Sequence, residues 1–191
     1  MIATGFLLSG FFALFAAALS WLFLWLLIPL LSCRLLDQPN ARSSHRLPTP
    51  RGGGVAFVLV GSIAVAWLGS WLPLLCLPLA LVGFLDDRHN LPAGLRYGVQ
   101  LATALLLLLI SPLSALAPGW LPWLLLLIAA TAVINFINFT DGLDGLVAGC
   151  MAVLFAVAAL TGLPALYPLV GALLGFLLWN WSPAKVFMGD V

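Results

Sequence analysis

Residues 135–145 read NFINFTDGLDG, and this stretch decides how the rest of the chain is interpreted. Polar residues recur in it at three-residue intervals: Asn135, Asn138, Asp141 and Asp144. Residues three apart on an α-helix are neighbours, so on a helix each adjacent pair of this set would share a face. The glycines at positions 142 and 145 would let a phosphate or a metal approach the backbone. In a simpler interpretation Asp141 or Asp144 caps the next helix, which explains one carboxylate and leaves the other polar groups unexplained.

The chain around this stretch is strongly apolar, with 64% hydrophobic and 7% charged residues among 191. This composition excludes a soluble domain and indicates an all-α, polytopic integral membrane protein. The apolar runs predict about seven transmembrane helices, at residues 5–31, 53–70, 71–85, 97–113, 121–137, 146–162 and 164–181. The first charge is Arg34, so residues 5–31 are interpreted as a retained span and not as a cleaved signal peptide. Three distant cysteines, at positions 33, 76 and 150, indicate neither a disulfide framework nor a metal site.

The charged residues fall into four clusters between these spans, at about 32–52, 86–96, 138–145 and 182–191. Two spans separate each cluster from the next, so all four are expected on one side of the membrane. All seven Lys and Arg then lie on that side, which the positive-inside rule makes cytoplasmic. We therefore predict one transmembrane domain over residues 1–191, with its N-terminus outside. A transporter or channel would carry charge within its spans or at both faces, and this distribution argues against one.

Each cluster offers groups that suit a phosphate or a metal ion. Residues 37–54, DQPNARSSHRLPTPRGGG, are expected to form a cationic loop, in which Arg suits bidentate contact with phosphate. The alternative is that its charges only set topology and face anionic lipid. Asp86 and Asp87 are adjacent carboxylates that suit a divalent cation or a general base, or else form a solvated turn with Arg88. The last cluster adds Lys185, and Asp190 directly after a glycine.

Hard oxygen ligands without a cluster of His or Cys favour Mg²⁺, or Mn²⁺, over zinc. Arginine, aspartate and Mg²⁺ together are typical of phosphoryl transfer, in which positioning and charge neutralisation supply most of the rate. The location of the clusters beside apolar spans suggests that one substrate is a lipid.

These motifs resemble those of a known family. NFINFTDGLDGL, GFLDDRHNLP, DQPNARSSHRLPTPRGGG and the final FMGDV are similar to motifs of the polyprenyl-phosphate N-acetylhexosamine-1-phosphate transferases (glycosyltransferase family 4), from about residue 30 onward. The resemblance implies transfer of a sugar 1-phosphate from a UDP-N-acetylhexosamine to undecaprenyl phosphate, with release of UMP. It also implies Mg²⁺ dependence and an active site at the cytoplasmic face of the bacterial inner membrane. The implied partners are these two substrates, the bilayer and a second copy in a homodimer, with no nucleic acid.

Arg88 after the Asp pair, with Leu91 and Pro92 following, is similar to the branch that initiates O-antigen, lipopolysaccharide and related surface glycans. That branch implies UDP-GlcNAc or a deoxy relative such as UDP-FucNAc or UDP-QuiNAc. The alternative is phospho-N-acetylmuramoyl-pentapeptide transfer in cell-wall biogenesis, a branch that usually has Lys after the Asp pair.

The resemblance also implies roles for individual residues. The metal candidates are Asp190, which matches the family's magnesium ligand, and Asp141. The catalytic candidates are Asp86 and Asp87, which match the pair implicated in deprotonating or orienting the lipid phosphate, and Asp144. The substrate-binding candidates are Asn138, His45, Arg46, Arg51 and Arg88.

One departure from the family pattern concerns the end of the sequence. Family members have ten or eleven spans and a His-rich cytoplasmic motif, which His45 and His89 do not match, and the sequence stops at Val191. Residues 1–191 are therefore expected to be the N-terminal portion of the fold, with little or no activity alone. An inactive remnant or a non-catalytic membrane subunit is the alternative. A CDP-alcohol phosphotransferase is disfavoured, because Gly149 stands where that class requires Arg.

Overall fold

The computed structural model describes residues 2–39, 46–113 and 119–191. Within these residues the chain forms seven α-helices: α1 (Ile2–Arg34), α2 (Gly54–Trp67), α3 (Leu77–His89), α4 (Ala93–Ile110), α5 (Trp120–Thr140), α6 (Leu146–Thr161) and α7 (Tyr167–Asn180). Short 3-10 helices, Leu72–Cys76 and Pro164–Leu166, precede α3 and α7. Strands β1 (Leu36–Asp37) and β2 (Thr49–Pro50) pair antiparallel and make a small ribbon. The predicted all-α class is confirmed.

The described helices have the length and surface of membrane-spanning elements. Three of them are long and apolar enough to cross a bilayer: Leu8–Arg34 within α1, Ala93–Ile110 and Trp120–Thr140. Three shorter apolar helices accompany them: Gly54–Trp67, Leu146–Thr161 and Pro164–Asn180. Large apolar side chains such as Leu14, Trp67 and Trp120 point outward, with 75%, 82% and 77% of their surface exposed. Apolar spans of this length with so much exposed apolar surface are typical of a bilayer environment, and the protein is an all-α membrane protein, while a count of seven crossings stays a prediction.

The third predicted span, 71–85, differs from the structure at both of its ends. It divides into the 3-10 helix Leu72–Cys76 and α3, each of which has a proline in its first turn. Proline has no N–H to donate, so it interrupts a continuous helix but fits the start of a new one. At the other end, α3 continues through Asp86 and Asp87 to His89 and stops at Asn90, which adopts φ 49°. The predicted 86–96 loop is therefore largely helical.

The stretch 135–145 also folds differently from a single helix. Asn135 and Asn138 lie on α5, which ends at Thr140, whereas Asp141 and Asp144 lie in the turn that leads to α6. The shared helix face predicted for each adjacent pair therefore holds for Asn135 and Asn138 and not for the pairs that include Asp141 or Asp144. The turn ends at Gly145, where φ is +72° and where glycine avoids a steric cost.

Helix α7 forms the centre of the packed layer. It contacts α1, α2 and α6, and Phe176 is fully buried in the core beside Leu24 and Leu31 of α1. Two glycines of α7, Gly171 and Gly175, lie directly against the backbone of α1. Such close approach of small residues is the usual way in which membrane helices gain packing contacts.

We expect Gly175→Ala to destabilise the protein, because the added Cβ would overlap the carbonyl oxygen of Ala17. Overpacking of this kind costs about 1–3 kcal/mol, more than the gain in helix propensity from Gly to Ala. Thermal unfolding in detergent should show a lower midpoint. The matched control is Gly149→Ala in α6, where a Cβ meets no atom within 4 Å and should be neutral or stabilising. Equal midpoints for the two variants would contradict the α1–α7 packing.

Candidate active site

The segment after α7 runs back across the end of the helix layer and joins residues 50–54. The amide of Phe187 donates to the Pro50 carbonyl at 2.8 Å. In return the amides of Gly53 and Gly54 donate to the carbonyls of Phe187 and Met188, both at 2.9 Å. Side chains on these glycines would collide with this segment: a Cβ on Gly53 would lie 2.7 Å from Val186. The consecutive glycines before α2 therefore allow the segment that carries Asp190 to pack closely.

Helix α3 fixes the position of Asp190 from the other side. Gly83 has no room for a side chain, because a Cβ there would overlap the carbonyl group of Asp190. Gly189 adopts φ +79°, and a Cβ on it would overlap the Asp87 carboxylate. The two glycines let the backbone at 189–190 lie against α3, with Asp190 beside Asp87.

Asp87 is a buried carboxylate with two different partners. Its Oδ2 accepts the backbone N–H of Asp190 at 3.0 Å, and its Oδ1 lies 3.4 Å from Arg51 Nε. Arg51 also donates through Nη2 to the Asp87 carbonyl at 2.8 Å. Burial raises the pKa of Asp87 to about 6, the carboxylates of Asp190 and Asp86 add to the increase, and the Asp190 N–H and Arg51 oppose it. Asp87 can therefore exchange a proton near neutral pH.

Asp86 is in a different electrostatic state from its neighbour. Its Oδ1 accepts the Leu91 N–H at 2.6 Å, and its Oδ2 pairs with Arg96 Nη1 at 2.6 Å. Burial pushes the pKa of Asp86 up, but hydrogen bonding with Asp190, Leu91 and Arg96 outweighs burial and lowers it. Asp86 is therefore an ionised anchor for the start of α4, whereas Asp87 keeps its capacity to take up a proton.

The Asp190 side chain contacts α4 and α5, whereas Asp87 lies on α3. Its Oδ1 accepts a hydrogen bond from Asn138 Nδ2 on α5 at 3.0 Å, and its Oδ2 lies 3.6 Å from Arg96 Nη1 on α4. The structure thus brings Asp86, Asp87, Asn138 and Asp190, from three of the four predicted clusters, into one contact network. Arg51 joins it from the remaining cluster through Asp87.

Asp141 lies beside this network at the end of α5. Burial raises the pKa of Asp141 to about 7, and the negative charges of Asp190 and Asp87 add to the increase. Burial and the negative charges of Asp190 and Asp87 therefore both disfavour the ionised form of Asp141.

Asp144 has a structural contact outside this network. Its Oδ2 accepts the N–H of Ala184 at 3.0 Å, in the segment that follows α7. The buried Asn180 strengthens the same junction: its Oδ1 accepts the Gly145 N–H at 3.1 Å, and its Nδ2 donates to the Val186 carbonyl at 3.0 Å. Together these bonds tie the turn after α5 to the segment that delivers Asp190. A catalytic role for Asp144 stays a prediction.

A cavity of about 360 Å³ opens beside Asp190, between α3, α4 and α5. Its polar wall contains Arg96, Gln100, Asn135, Asn138 and Asp190, and apolar side chains of α3 complete it. A mixed lining of this type suits a ligand with a charged head and an apolar body.

The predicted metal site is only partly assembled. Across residues 2–39, 46–113 and 119–191, no three Asp, Glu, His or Cys side chains are gathered closely enough to hold a metal ion. The donor chemistry nevertheless fits a hard divalent cation, because carboxylate oxygens are its preferred ligands and the charges of Asp190 and Asp87 both raise the pKa of Asp141. The assignment of Asp190 and Asp141 to Mg²⁺ stays a prediction.

The other predicted cationic residues are more peripheral. Arg46 and Arg88 are exposed, and Lys185 lies over the Trp179 ring at 5.3 Å. His45 and Arg42 lie outside the described residues. Arg96 and Asn180 were not predicted as site residues, although both make central contacts in the structure. A signal for Arg96 was available, since it lies ten residues after Asp86 and is the last charge before a long apolar run.

We expect Asp141→Asn to stabilise the metal-free protein more at high pH than at low pH. A pKa of about 7 in the folded state, above the ordinary 3.8, means that folding favours the protonated form. The stability of the parent protein therefore falls as the pH rises toward 7, whereas asparagine has no proton to lose. Thermal unfolding with a chelator present should show a larger gain at about pH 8 than at about pH 5. Equal gains at the two pH values would contradict a raised pKa.

Comparisons with known proteins identify the family. The family model described as glycosyl transferase family 4 matches residues 68–191, a range that includes all the acidic residues of the contact network. A Bacillus subtilis (strain 168) protein named probable undecaprenyl-phosphate N-acetylglucosaminyl 1-phosphate transferase is 28% identical over 180 residues, covering 81% of this chain and 50% of the relative. A Synechococcus sp. (strain JA-3-3Ab) phospho-N-acetylmuramoyl-pentapeptide-transferase is 32% identical over 201 residues, covering 86% of this chain and 59% of the relative.

A third relative, the Pasteurella multocida (strain Pm70) undecaprenyl-phosphate alpha-N-acetylglucosaminyl 1-phosphate transferase, is 35% identical over 81 residues, covering 39% of this chain and 22% of the relative. The chain spans about half the length of the first two relatives. The family match covers well over half of the 191 residues, and the predicted resemblance is confirmed: the chain belongs to glycosyl transferase family 4.

Proposed function

We propose that the protein transfers an N-acetylhexosamine 1-phosphate from a UDP-sugar to undecaprenyl phosphate, releases UMP and so initiates a lipid-linked surface glycan. The observation that supports this most is the contact between Asp87 and Asp190, with Arg51, Arg96 and Asn138 attached to it. Asp87, Arg96 and Asn138 lie on three different helices, Arg51 and Asp190 lie in segments outside the helices, and all five meet at one end of the apolar helices. The names of the Bacillus and Pasteurella relatives contain the same acceptor, undecaprenyl phosphate, and an N-acetylhexosamine, N-acetylglucosamine.

The first role in this proposal belongs to Asp87. A phosphate monoester loses its second proton at a pKa of about 6, and burial raises the pKa of Asp87 to about 6 as well. Matched pKa values allow a proton to pass from the lipid phosphate to the carboxylate near neutral pH. The deprotonated lipid phosphate would then attack the phosphorus bonded to the sugar oxygen, and UMP would leave with the electron pair of the broken P–O bond.

The second role is charge neutralisation around the diphosphate. Arg51 and Arg96 hold the carboxylates of Asp87 and Asp86 and keep further N–H groups for phosphate oxygens. Asn138 orients Asp190. We propose that Asp190 and Asp141 hold Mg²⁺, which when bound would offset the negative charge of the diphosphate and of the leaving UMP. Asn138, Arg51 and Arg96 would hold the carboxylates in position before Mg²⁺ binds.

The orientation completes the proposal. With the polar ends of the helices in the cytoplasm of a bacterial cell, the site faces the compartment that holds UDP-sugars. The remaining cations of residues 46–51 would then face the anionic leaflet or the nucleotide. A homodimer and a single transmembrane domain stay predictions.

A second candidate reaction is phospho-N-acetylmuramoyl-pentapeptide transfer, the reaction for which the Synechococcus relative is named. The same carboxylates would act on the same bond, so the site chemistry does not separate the two reactions. Arg88, which follows the Asp pair, favours the N-acetylglucosamine type, as the sequence resemblance implies.

The test is a transfer assay with a panel of donors. Membranes containing the protein, expressed from the complete reading frame that holds residues 1–191, receive undecaprenyl phosphate, Mg²⁺ and one radiolabelled donor: UDP-GlcNAc, UDP-FucNAc, UDP-QuiNAc or UDP-MurNAc-pentapeptide. We expect lipid-extractable label and UMP with one of the first three. Label only from UDP-MurNAc-pentapeptide would select the second reaction, and no label from any donor would reject both and favour an inactive remnant.

A further inference from the structure

Two amide side chains join α4 and α5 one helical turn away from the acidic network. Asn135 Nδ2 donates to Gln100 Oε1 at 2.8 Å, and Gln100 Nε2 lies 3.4 Å from Asn135 Oδ1 in the return direction. Asn135 Nδ2 also donates to the carbonyl of Thr131 on its own helix at 2.8 Å. Gln100 and Asn135 therefore form a reciprocal pair between two apolar helices, where few other polar groups could replace either partner.

The pair is in register with the residues that hold Asp190. Gln100 lies four residues after Arg96 on α4, and Asn135 lies three residues before Asn138 on α5. Residues three or four apart are neighbours on a helix face, so the amide pair and the two Asp190 partners form successive contacts along one interface. All four side chains line the same cavity of about 360 Å³.

The two oxygens of Asp190 depend on this interface. Oδ1 is bonded from α5, through Asn138, and Oδ2 faces Arg96 on α4. If α4 and α5 separate or slide, one oxygen loses its partner and the carboxylate rotates. The spacing of the two helices therefore controls the orientation of Asp190.

We propose that Gln100 and Asn135 are positioning residues, whose paired amides fix α4 against α5 so that Arg96 and Asn138 hold Asp190 in the orientation that binds a divalent cation. The inference rests on the proposed function for the use of that cation. The positional part, that the pair orders residues 186–191, depends only on the contacts above.

The pair acts through geometry and not through contact with the reacting atoms. Replacing one amide by leucine removes both bonds of the pair and leaves the other amide without its partner across the α4–α5 interface. The exchanged variant Gln100→Asn with Asn135→Gln keeps two amides of the same total length. This exchanged variant should restore the α4–α5 interface. Such recovery would show that the effect of the leucine variants comes from the lost amide pair and not from the loss of some other stabilising contact.

The experiment compares four proteins in nanodiscs: the parent, Gln100→Leu, Asn135→Leu and the exchanged double variant. Thr131→Val is the matched control, because the Thr131 hydroxyl bonds only to carbonyls of its own helix among the contacts described for it, at 3.0 Å from Leu127 and Ile128. Free Mn²⁺ measured by electron paramagnetic resonance gives the cation affinity. Hydrogen exchange followed by mass spectrometry reports the amides of residues 186–191 without metal, including the Asp190 N–H bonded to Asp87.

We expect each leucine variant to bind Mn²⁺ at least about tenfold more weakly than the parent. The backbone amides of residues 186–191 should exchange hydrogen faster, whereas those of α1 and α7 should exchange at the parent rate. The exchanged variant should recover both properties, and Thr131→Val should match the parent. If Gln100→Leu does not fold, Gln100→Asn, which shortens the reach of the amide, replaces it with the same expectation.

Three results would overturn the inference: parent-like exchange at residues 186–191 in both leucine variants, the same changes in Thr131→Val, or no recovery in the exchanged variant. If the parent protein binds no Mn²⁺, the proposed cation site fails. Hydrogen exchange then still decides whether the amide pair positions Asp190.

Discussion

Replacing Asp190 by asparagine should lower the rate of sugar-phosphate transfer by about 100- to 1,000-fold, the range seen when one preorganised charge-stabilising group is removed. The substitution keeps the size of the side chain, and its oxygen can still accept the Asn138 amide. The backbone N–H of Asp190 still donates to Asp87, so residues 186–190 should stay in place. What is lost is the negative charge that faces Arg96 and that we assign to the divalent cation.

The assay measures kcat and KM for the donor over a range of Mg²⁺ concentrations, with the amount of inserted protein determined in the same membranes. The control is Gly149→Ala in α6, where an added Cβ meets no atom within 4 Å and which should keep parent-like activity. Activity of Asp190→Asn within about threefold of the parent would remove the charged carboxylate from the proposed reaction. If Asp87→Asn also remained active, no carboxylate mechanism at this site would survive.

The helices and their order were predictable because apolar runs of sufficient length have few other structures available to them. Six of the seven predicted spans have a helix within a few residues of the expected bounds, and the third differs because prolines divide it. The ends were harder to predict. Whether α3 stops before Asp86 or continues to His89 depends on contacts with Arg51, Leu91 and Arg96, which a local pattern does not contain.

The site was predictable as a set of clusters but not as a set of contacts. An even number of spans between clusters placed Asp87, Asn138 and Asp190 at one end, and the structure joins them directly. The partner of each carboxylate depends on how far each helix is rotated about its axis. Arg96 therefore pairs with Asp86, whereas Arg88, the nearer cation in sequence, is exposed.

The roles of Asp144 and Asn180 show a second limit of sequence analysis. Asp144 belongs to the motif that suggests chemistry, but its carboxylate accepts the amide of Ala184, forty residues later in the chain. Asn180 belongs to no recognised motif, yet its buried amide bonds to both Gly145 and Val186. Hydrogen bonds across such sequence separations become visible only when the fold is known.

Gly83→Ala should lower transfer by about 100-fold, the effect expected when reacting groups are displaced by about 1 Å. A Cβ at this position of α3 would overlap the carbonyl group of Asp190, so residues 189–191 must move away from the helix. The N–H···Oδ2 bond between Asp190 and Asp87 would lengthen with them, and the proposed base and the proposed cation ligand would lose their relative position.

Helix propensity alone predicts that this substitution stabilises α3, since alanine favours a helix over glycine by about 1 kcal/mol. A loss of activity in Gly83→Ala therefore reports the contact with Asp190 and not a weakened α3. Gly98→Ala in α4 is the matched control, because a Cβ there meets no atom within 4 Å and activity should be unchanged. Transfer assays with both variants, together with hydrogen exchange at residues 186–191, measure the displacement. Parent-like activity of Gly83→Ala would contradict a fixed contact between α3 and Asp190, and with it the proposal that Asp87 and Asp190 act on one substrate.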